Sequence, residues 1–405
     1  MPDLERLYPR PGTVTAQVAV DDATSVAHGD IGAFDPRVIA LLNDLSQELT
    51  KLSRAEPALA PLAFFMRRSA TTQLGAATLG NLPAACRAMP QGVVFHIPPT
   101  NVDTLFLYTL SIALLAGNAN IVRISENAGP ATEEILELLF AALDRYPAIA
   151  PFVTVVRFSR DSEALAMLSS AADVRMIWGG DASITAIRHA ALRPHAKDLT
   201  FPDRLSVAGI RASAWQEAEP EVRLDLATAL YNDTYWFDQM ACSSPQQLIL
   251  IGEPAGCAEM LEDLLGHLDR IARDRYKLPG GQAINKMVAV VEAIARGSDS
   301  LSWNSNSSVA IGGLTLEDAT DIRPGGGFFS TQTHADLIDF APQITRRVQT
   351  FASFGFDPAD LDAFAVALNG RGIDRMVPIG RALDFSEIWD GKNLVLEMLR
   401  LVSIN

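Results

Sequence analysis

Between Gly92 and Leu192 the chain alternates short apolar runs with helix-length ones, and this alternation restricts the fold more than any other feature. Gly92–Ile97 reads as a buried strand stopped by Pro98-Pro99. A helix follows over Asp103–Leu115, ended by the capping pair Gly117-Asn118. Asn120–Ile124, Phe152–Phe158 and Val174–Trp178 read as three more strands, followed by helices over Pro130–Asp144, Ser162–Ser170 and Ala182–Leu192. Strands separated by helices of about a dozen residues predict an α/β fold with a parallel, doubly wound sheet. Ligands of such sheets bind beyond the carboxyl ends of the strands. Three segments fall there: Pro98-Pro99-Thr100-Asn101, Arg123-Ile124-Ser125-Glu126 and Gly179-Gly180-Asp181. The dinucleotide fingerprint G-x-G-x-x-G is absent, so a nucleotide needs another mode of binding.

Upstream, residues 35–75 look helical, with Val38, Leu41, Leu42, Leu45 and Leu49 at helix spacing. A second α/β segment is expected from near Ser206, with helices around 255–275 and 282–296. Residues 297–331, rich in Gly, Ser and Asn and including Gly325-Gly326-Gly327, read as irregular loops. The last sixty or so residues return to an alternating pattern and end in the apolar tail Leu394–Ile404. At 405 residues, two or three domains are expected.

A formal charge of −15 argues against a nucleic-acid partner, whose binding needs clustered Lys and Arg. It leaves room for a local basic pocket and an anionic small ligand. Three cysteines fit a reducing compartment, and the six scattered histidines offer no metal site. Met1-Pro2-Asp3-Leu4-Glu5-Arg6 lacks a basic segment followed by an apolar one, so no signal peptide is expected. The longest apolar run, Leu105–Ala116, is too short to span a bilayer. A soluble cytoplasmic protein is the expectation.

Cys242 stands where a helix-like run, Leu224–Phe237, gives way to a strand-like one, Gln247–Ile251. Small neighbours (Ala241, Ser243, Ser244) let a substrate approach the sulfur, as thiolate chemistry requires. A cysteine is also at home as a small buried hydrophobe. Cys86 and Cys257, in helix-like surroundings, read that way, and His96 reads as a satisfied core histidine.

His96-Ile-Pro-Pro-Thr-Asn101, Leu114-Leu-Ala-Gly-Asn-Ala-Asn-Ile-Val-Arg123, Phe237-Asp-Gln-Met-Ala-Cys242-Ser-Ser-Pro and Arg371-Gly-Ile-Asp-Arg-Met-Val-Pro-Ile-Gly380 with Trp389-Asp390-Gly391 occur in that order. Together they resemble the LuxC-type acyl-CoA reductases, fatty-acyl reductases of the aldehyde dehydrogenase superfamily, from about residue 80 to the end. The resemblance implies two doubly wound α/β domains facing across a cleft, with a small oligomerisation element. It divides the chain into an N-terminal helical segment (1–75), a nucleotide-binding domain (76–205) and a catalytic domain (206–370). A C-terminal segment (371–405) either returns to the nucleotide side or forms an oligomer arm.

The activity implied is NAD(P)H-dependent reduction of an acyl thioester to an aldehyde through a thioacyl-enzyme. Cys242 is then the nucleophile and Asn101 an oxyanion donor. Pro99 and Thr100 belong to the same cofactor-side motif. Arg123 stands where the superfamily has a lysine that contacts the adenosine ribose or its phosphate, with Ser125 and Glu126 following in register. Gly179, Gly180 and Ser183 resemble the turn and helix start near the pyrophosphate. Arg123 would favour NADPH, the family tendency; Glu126 would favour NADH. Asp198-Leu-Thr-Phe-Pro-Asp-Arg-Leu205 occupies the stretch where oxidising relatives carry a glutamate base, and it holds no glutamate. The expected substrate is an acyl-CoA or acyl carrier protein thioester, handled by a homo-oligomer with or without an acyl-supplying partner enzyme. The alternatives are a catalytically silent, acyl-presenting homologue and an NAD(P)+-dependent aldehyde dehydrogenase. The cluster Arg371, Asp374 and Arg375 is either a contact for CoA phosphates or an inter-domain salt-bridge network. Phe64, Phe65, Trp236, Phe237, Trp303, Phe328 and Phe329 are candidates for an acyl tunnel or for core.

Overall fold

The computed structural model describes residues 1–99, 102–159, 162–305 and 308–404. Two units emerge: Met1–Asp203 with Asp384–Asn405, and Arg204–Leu383.

The first unit opens with β1 (Asp3–Tyr8) and β2 (Gly12–Thr15), then α1 (Ala16–Val26), α2 (Pro36–Leu52), α3 (Ala60–Phe65) and α4 (Arg68–Gly80). The first fifteen residues are therefore not helical, as the expected N-terminal segment had them. Leu4 and Tyr8 are buried while Asp3 and Glu5 are exposed, and β1 earns its conformation by pairing antiparallel with a strand near residue 155. In α2, Val38, Leu41, Leu42, Leu45 and Leu49 form the buried stripe that their spacing predicts, and Asp35 caps the helix by accepting from the Arg37 N–H.

The chain continues through β3 (Cys86–Pro90), β4 (Val93–Ile97), α5 (Leu105–Leu115), β5 (Ala119–Ile124), α6 (Pro130–Arg145) and β6 (Val153–Arg157). It completes this stretch with α7 (Ala164–Ala171), β7 (Val174–Trp178), α8 (Asp181–Arg188) and β8 (Lys197–Phe201). Sheet order is β2-β1-β6-β5-β4-β7-β8, with β4 to β8 parallel. β4 and β7 are buried throughout, which is why they read as unbroken apolar runs. All eleven residues of α5 are buried too, and the helix ends in a Schellman pair, Gly117 N–H to Leu114 O and Asn118 N–H to Ala113 O. From β4 the chain winds out one way to β5 and β6, then crosses to β7 and β8 on the other side. The switch point thus sets the segments after β4 and after β7 side by side.

The second unit contains β9 (Leu205–Arg211), α9 (Ala212–Glu217), α10 (Pro220–Tyr235), β10 (Pro245–Ile251), α11 (Pro254–Arg275) and α12 (Gly280–Ala295). It continues with β11 (Ser300–Ser305), β12 (Ser308–Gly312), α13 (Leu316–Asp321), β13 (Phe328–His334), β14 (Val348–Phe354), α14 (Pro358–Leu368) and β15 (Arg375–Pro378). Sheet order is β11-β12-β13-β10-β9-β14-β15, with only β11 antiparallel. Cores cover both faces, one around Trp215, Leu248, Leu264 and Phe329, the other around Ile249, Phe340, Phe351 and Phe364. Two expectations change here. Residues 297–331 are not simply irregular, because β12 is short and small-chained yet wholly buried, and tertiary pairing supplies what its composition hides. Residues 371–383 stay with the second unit, where β15 extends the sheet beside β14.

The chain then returns to the first unit with the hairpin β16 (Ile388–Trp389) and β17 (Lys392–Asn393), α15 (Leu394–Glu397) and β18 (Leu399–Ser403). β18 pairs antiparallel with β3 in a separate two-stranded ribbon, placing Cys86 on a strand rather than in the helical setting expected of it. Among the described residues no helix is long and apolar enough to cross a membrane.

Candidate active site

Helix α10 ends at Tyr235, and the three residues after Trp236 do something unusual. Phe237, Asp238 and Gln239 lie at φ 55°, 53° and 63°, three consecutive non-glycine residues in the left-handed region. Each such residue costs about 1–2 kcal/mol, so the conformation persists only if its surroundings hold it. They do. Gln239 is fully buried; its amide donates to the carbonyls of Pro245 (2.8 Å) and Phe328 (3.0 Å), and its Oε1 accepts from the N–H groups of Gly327 (2.8 Å) and Phe328 (3.2 Å). The Gln246 amide donates to the Gln239 carbonyl. The Gly326 N–H donates to the Asp238 carbonyl at 3.0 Å, and the Tyr276 hydroxyl to Asp238 Oδ1 at 2.7 Å. Gly325, Gly326 and Gly327 all have positive φ, and a Cβ on Gly325 would come within 2.4 Å of the Asp238 carbonyl oxygen. Only glycine lets this turn approach so closely.

Cys242 follows three residues on, just ahead of β10. Its carbonyl accepts from Ser206 Oγ at 2.8 Å, and Ser206 Oγ in turn accepts from the Thr350 N–H, fastening the cysteine backbone to β9 and β14. Cys242 is partly exposed, whereas Cys257 is buried and burial pushes its thiol pKa up. None of the three cysteines is in a disulfide. Cys242 sits at the amino end of its strand, so the carboxyl-end rule that located sites in the first sheet would have missed it.

In the first unit, Ile97 is level with Ile177, and the loops leaving β4 and β7 are neighbours. Pro99 is half-buried there; Thr100 and Asn101 lie outside the described residues. Gly179 has φ +153° and its N–H donates to the Phe201 carbonyl. Gly180 caps α8, and an added Cβ on it would meet nothing within 4 Å. Ser183 lies one turn on, its Cβ 3.6 Å from where a Gly179 Cβ would be. Glu126 is exposed just past β5, and Ser125 Oγ accepts from the Asn127 N–H. Arg123 is buried, with Nε and Nη2 donating to the Phe158 carbonyl at 3.3 and 3.1 Å and its guanidinium 5.2 Å from the Phe158 ring centroid.

His96 is the core histidine its position suggested. Its Nε2 lies 3.0 Å from Asn120 Oδ1 and its Nδ1 3.1 Å from Thr109 Oγ1. The Asn120 amide nitrogen already donates to Asn118 and Phe152, so Oδ1 must accept, and the ring proton belongs on Nε2. Burial lowers the His96 pKa to about 4.

The stretch that lacks a glutamate holds two carboxylates, Asp198 and Asp203. Asp198 is gripped by the buried Arg175 through two bonds, 2.7 and 2.9 Å, and Asp203 is an exposed residue at the unit's end. In the Arg371–Arg375 segment Arg371 and Asp374 are exposed. Asp374 pairs with Arg204, and Arg375 donates to the carbonyls of Ala382 and Arg381. The same segment anchors on Asp233, a buried carboxylate on α10 that accepts from the N–H groups of Gly380 (2.6 Å) and Ala382 (3.0 Å). Sequence reasoning missed Asp233, Gln239 and Lys286, the last a buried lysine on α12 that donates to the Gly326 carbonyl, and it read the glycine triplet as loop. Of the aromatic residues, Phe328 and Phe329 are core, Phe65 packs on Tyr108, and Phe64 is exposed beneath Arg67.

The architecture is that of the aldehyde dehydrogenases. Aldehyde dehydrogenase 21 from Physcomitrella patens, solved with its product succinate, matches over 96% of this chain and 90% of its own, at TM-score 0.70 and 13% identity. The aldehyde dehydrogenase KauB from Pseudomonas aeruginosa matches over 99% and 92%, at TM-score 0.67 and 13% identity. Glyceraldehyde-3-phosphate dehydrogenase GapN from Methanocaldococcus jannaschii, complexed with NADP, matches over 96% and 93%, at TM-score 0.67 and 14% identity. Within that class the assignment is narrower. The model of the acyl-CoA reductase (LuxC) family matches residues 81–293, more than half of the chain, and the chain belongs to that family of oxidoreductases. No curated protein matches the sequence.

Proposed function

We propose that this protein reduces an acyl thioester, carried by CoA or an acyl carrier protein, to the aldehyde through a thioacyl-enzyme on Cys242. The observation that carries the reading is the partly exposed Cys242 that follows a strained loop pinned by the Gln239 hydrogen bonds, in a LuxC-family chain. Strain at such a site is maintained only where the surroundings over-determine it. The Cys242 thiolate attacks the thioester carbonyl, the oxyanion collapses, and the donor thiolate leaves and takes up a proton. Asn101 and the Cys242 N–H are the proposed oxyanion donors, a role worth about 3–4 kcal/mol of barrier per donor.

A nicotinamide cofactor's pyrophosphate is assigned to the open space beside Gly180 at the start of α8, where an added Cβ would meet nothing within 4 Å and a helix N-terminus favours an anion. Bound there, reduced nicotinamide would supply hydride to the carbonyl of the acyl group on Cys242, giving the thiohemiacetal oxyanion. Cys242 then departs as thiolate and the aldehyde is released. Gly179, Gly180 and Ser183 are assigned to the pyrophosphate; Pro99 and Thr100 to the neighbouring loop; Ser125 and Glu126 to the ribose side. Arg123 is assigned to shaping that pocket from beneath, since the Phe158 carbonyl engages its guanidinium. Asp198 is committed to Arg175 and the stretch holds no glutamate, which supports aldehyde over acid as the product. Self-association is proposed through the β3–β18 ribbon, where Met89, Leu401 and Val402 are exposed.

The test is anaerobic incubation of the protein with a long-chain acyl-CoA and no nucleotide, read by intact mass. An acyl adduct that is absent in Cys242→Ala and discharged as aldehyde on adding NADPH is the expected result. Full aldehyde production by Cys242→Ala would overturn the mechanism.

A further inference from the structure

We propose that Lys286 is a positioning residue for Cys242, acting through the Gly325–Gly327 turn. The inference rests on the reading of Cys242 as nucleophile and extends it to a residue two steps away. Lys286 projects from the buried face of α12 and has no exposed surface. Its ammonium donates to the Gly326 carbonyl. On the opposite edge of that peptide turn, the Gly326 N–H holds the Asp238 carbonyl at 3.0 Å, and the Gly327 N–H holds Gln239 Oε1 at 2.8 Å. The glycine turn is thus pinned between a lysine on one side and the left-handed nucleophile loop on the other. Tyr276 and Gln282 brace the same edge: the Tyr276 hydroxyl lies 2.7 Å from Asp238 Oδ1 and 2.7 Å from Gln282 Oε1, and the Gln282 amide reaches the Pro324 carbonyl at 3.4 Å.

A charged group taken out of water is costly, and the cost is visible here, since burial lowers the Lys286 pKa to about 8. A methionine would fill the same volume on α12 without that cost. A purely structural lysine should therefore be replaceable by methionine with stability kept or gained and the chemistry untouched. A positioning lysine should not. Gly326 has φ +59°, with no side chain to lock it, so losing the lysine contact frees the Gly326–Gly327 peptide, whose N–H carries the bond to Gln239 Oε1. A nucleophile displaced by about 1 Å from its attack geometry can lose on the order of 100-fold in rate.

The experiment uses the full chain and compares wild type with Lys286→Met and Lys286→Gln, the latter keeping an N–H donor too short to reach Gly326. Three rates or midpoints are read: acyl adduct formation from acyl-CoA without nucleotide, iodoacetamide labelling of Cys242 followed by peptide mass, and thermal unfolding. Acylation at least tenfold slower in both variants is expected, with alkylation within about threefold of wild type, because alkylation needs access but no aligned oxyanion donors. Steady-state turnover should fall in kcat with KM little changed. Acylation at the wild-type rate in either folded variant overturns the proposal while leaving Cys242 as nucleophile. No adduct in the wild type sinks both.

Discussion

The acid sensitivity of the first unit should run through His96. Its imidazole is fully buried, and its pKa falls from 6.5 in the unfolded chain to about 4 in the fold. The folded pKa is depressed, so unfolding takes up a proton whenever the pH lies between the two values. Above 6.5 the ring is neutral in both states and its contribution to stability is whole. As pH falls through 6.5 toward 4 the unfolded state gains protonation that the folded state cannot match, and the contribution is lost. At about 1.4 kcal/mol per pKa unit, the full loss is roughly 3 kcal/mol, of which roughly 2 kcal/mol is spent by pH 5.0. For a unit of about 200 residues that is roughly 4–8 °C of thermal midpoint.

The measurement is thermal unfolding of wild type and His96→Gln at pH 7.5 and pH 5.0. Glutamine can still donate to Asn120 Oδ1 but does not titrate, so the other acid-sensitive groups cancel in the comparison. His96→Gln should be the less stable at pH 7.5, having lost ring packing, yet its midpoint should fall by about 4–8 °C less between the two pH values. Equal falls in the two proteins refute the reasoning. So does a His96 ring-proton signal in the native protein that titrates with a midpoint near 6.5.

Three further outcomes are expected. Asp233→Asn leaves one of two backbone N–H groups, of Gly380 or Ala382, without its acceptor in a buried site; urea unfolding of the second unit should show a loss of about 1–3 kcal/mol at unchanged m. Arg175→Met strands Asp198, which is mostly buried and otherwise has only Arg188 at 3.6 Å; a loss of about 3–5 kcal/mol, read as a lower midpoint and weaker cofactor binding beside Gly179, is expected, and unchanged stability would show the pair to be idle. Leu401→Lys with Val402→Lys charges the exposed ribbon; light scattering should show smaller particles than wild type, and an unaltered mass would move the self-association surface elsewhere.

Which parts of this molecule were readable in the sequence follows from how local their causes are. The parallel core of the first unit was readable because β4, β5 and β7 are buried on both faces and announce themselves as apolar runs, and because Gly117-Asn118 is a local stop signal that the Schellman bonds execute. β1, β12 and β15 were not, since each is a short strand whose conformation comes from a partner far along the chain: β6, β13 and β14 respectively. The same division runs through the site. Cys242 and the Gly179-Gly180 turn are motifs on contiguous residues. The clamp on the loop before Cys242 joins residue 239 to residue 327 and residue 286 to residue 326, and no window of sequence contains such a pair. A glutamine three residues before a cysteine looks like an ordinary polar residue until four hydrogen bonds and three left-handed dihedrals are seen to converge on it. Gly325-Gly326-Gly327 was the one local trace, and it misleads when read as flexibility. Three residues without side chains are what a turn needs to press its N–H groups against another backbone, so here glycine content marks close contact rather than slack. The backbone that carries Cys242 is therefore set by the second unit's own interior, and on the proposed mechanism substitutions on α12 or in the glycine turn should alter its chemistry without touching the thiol.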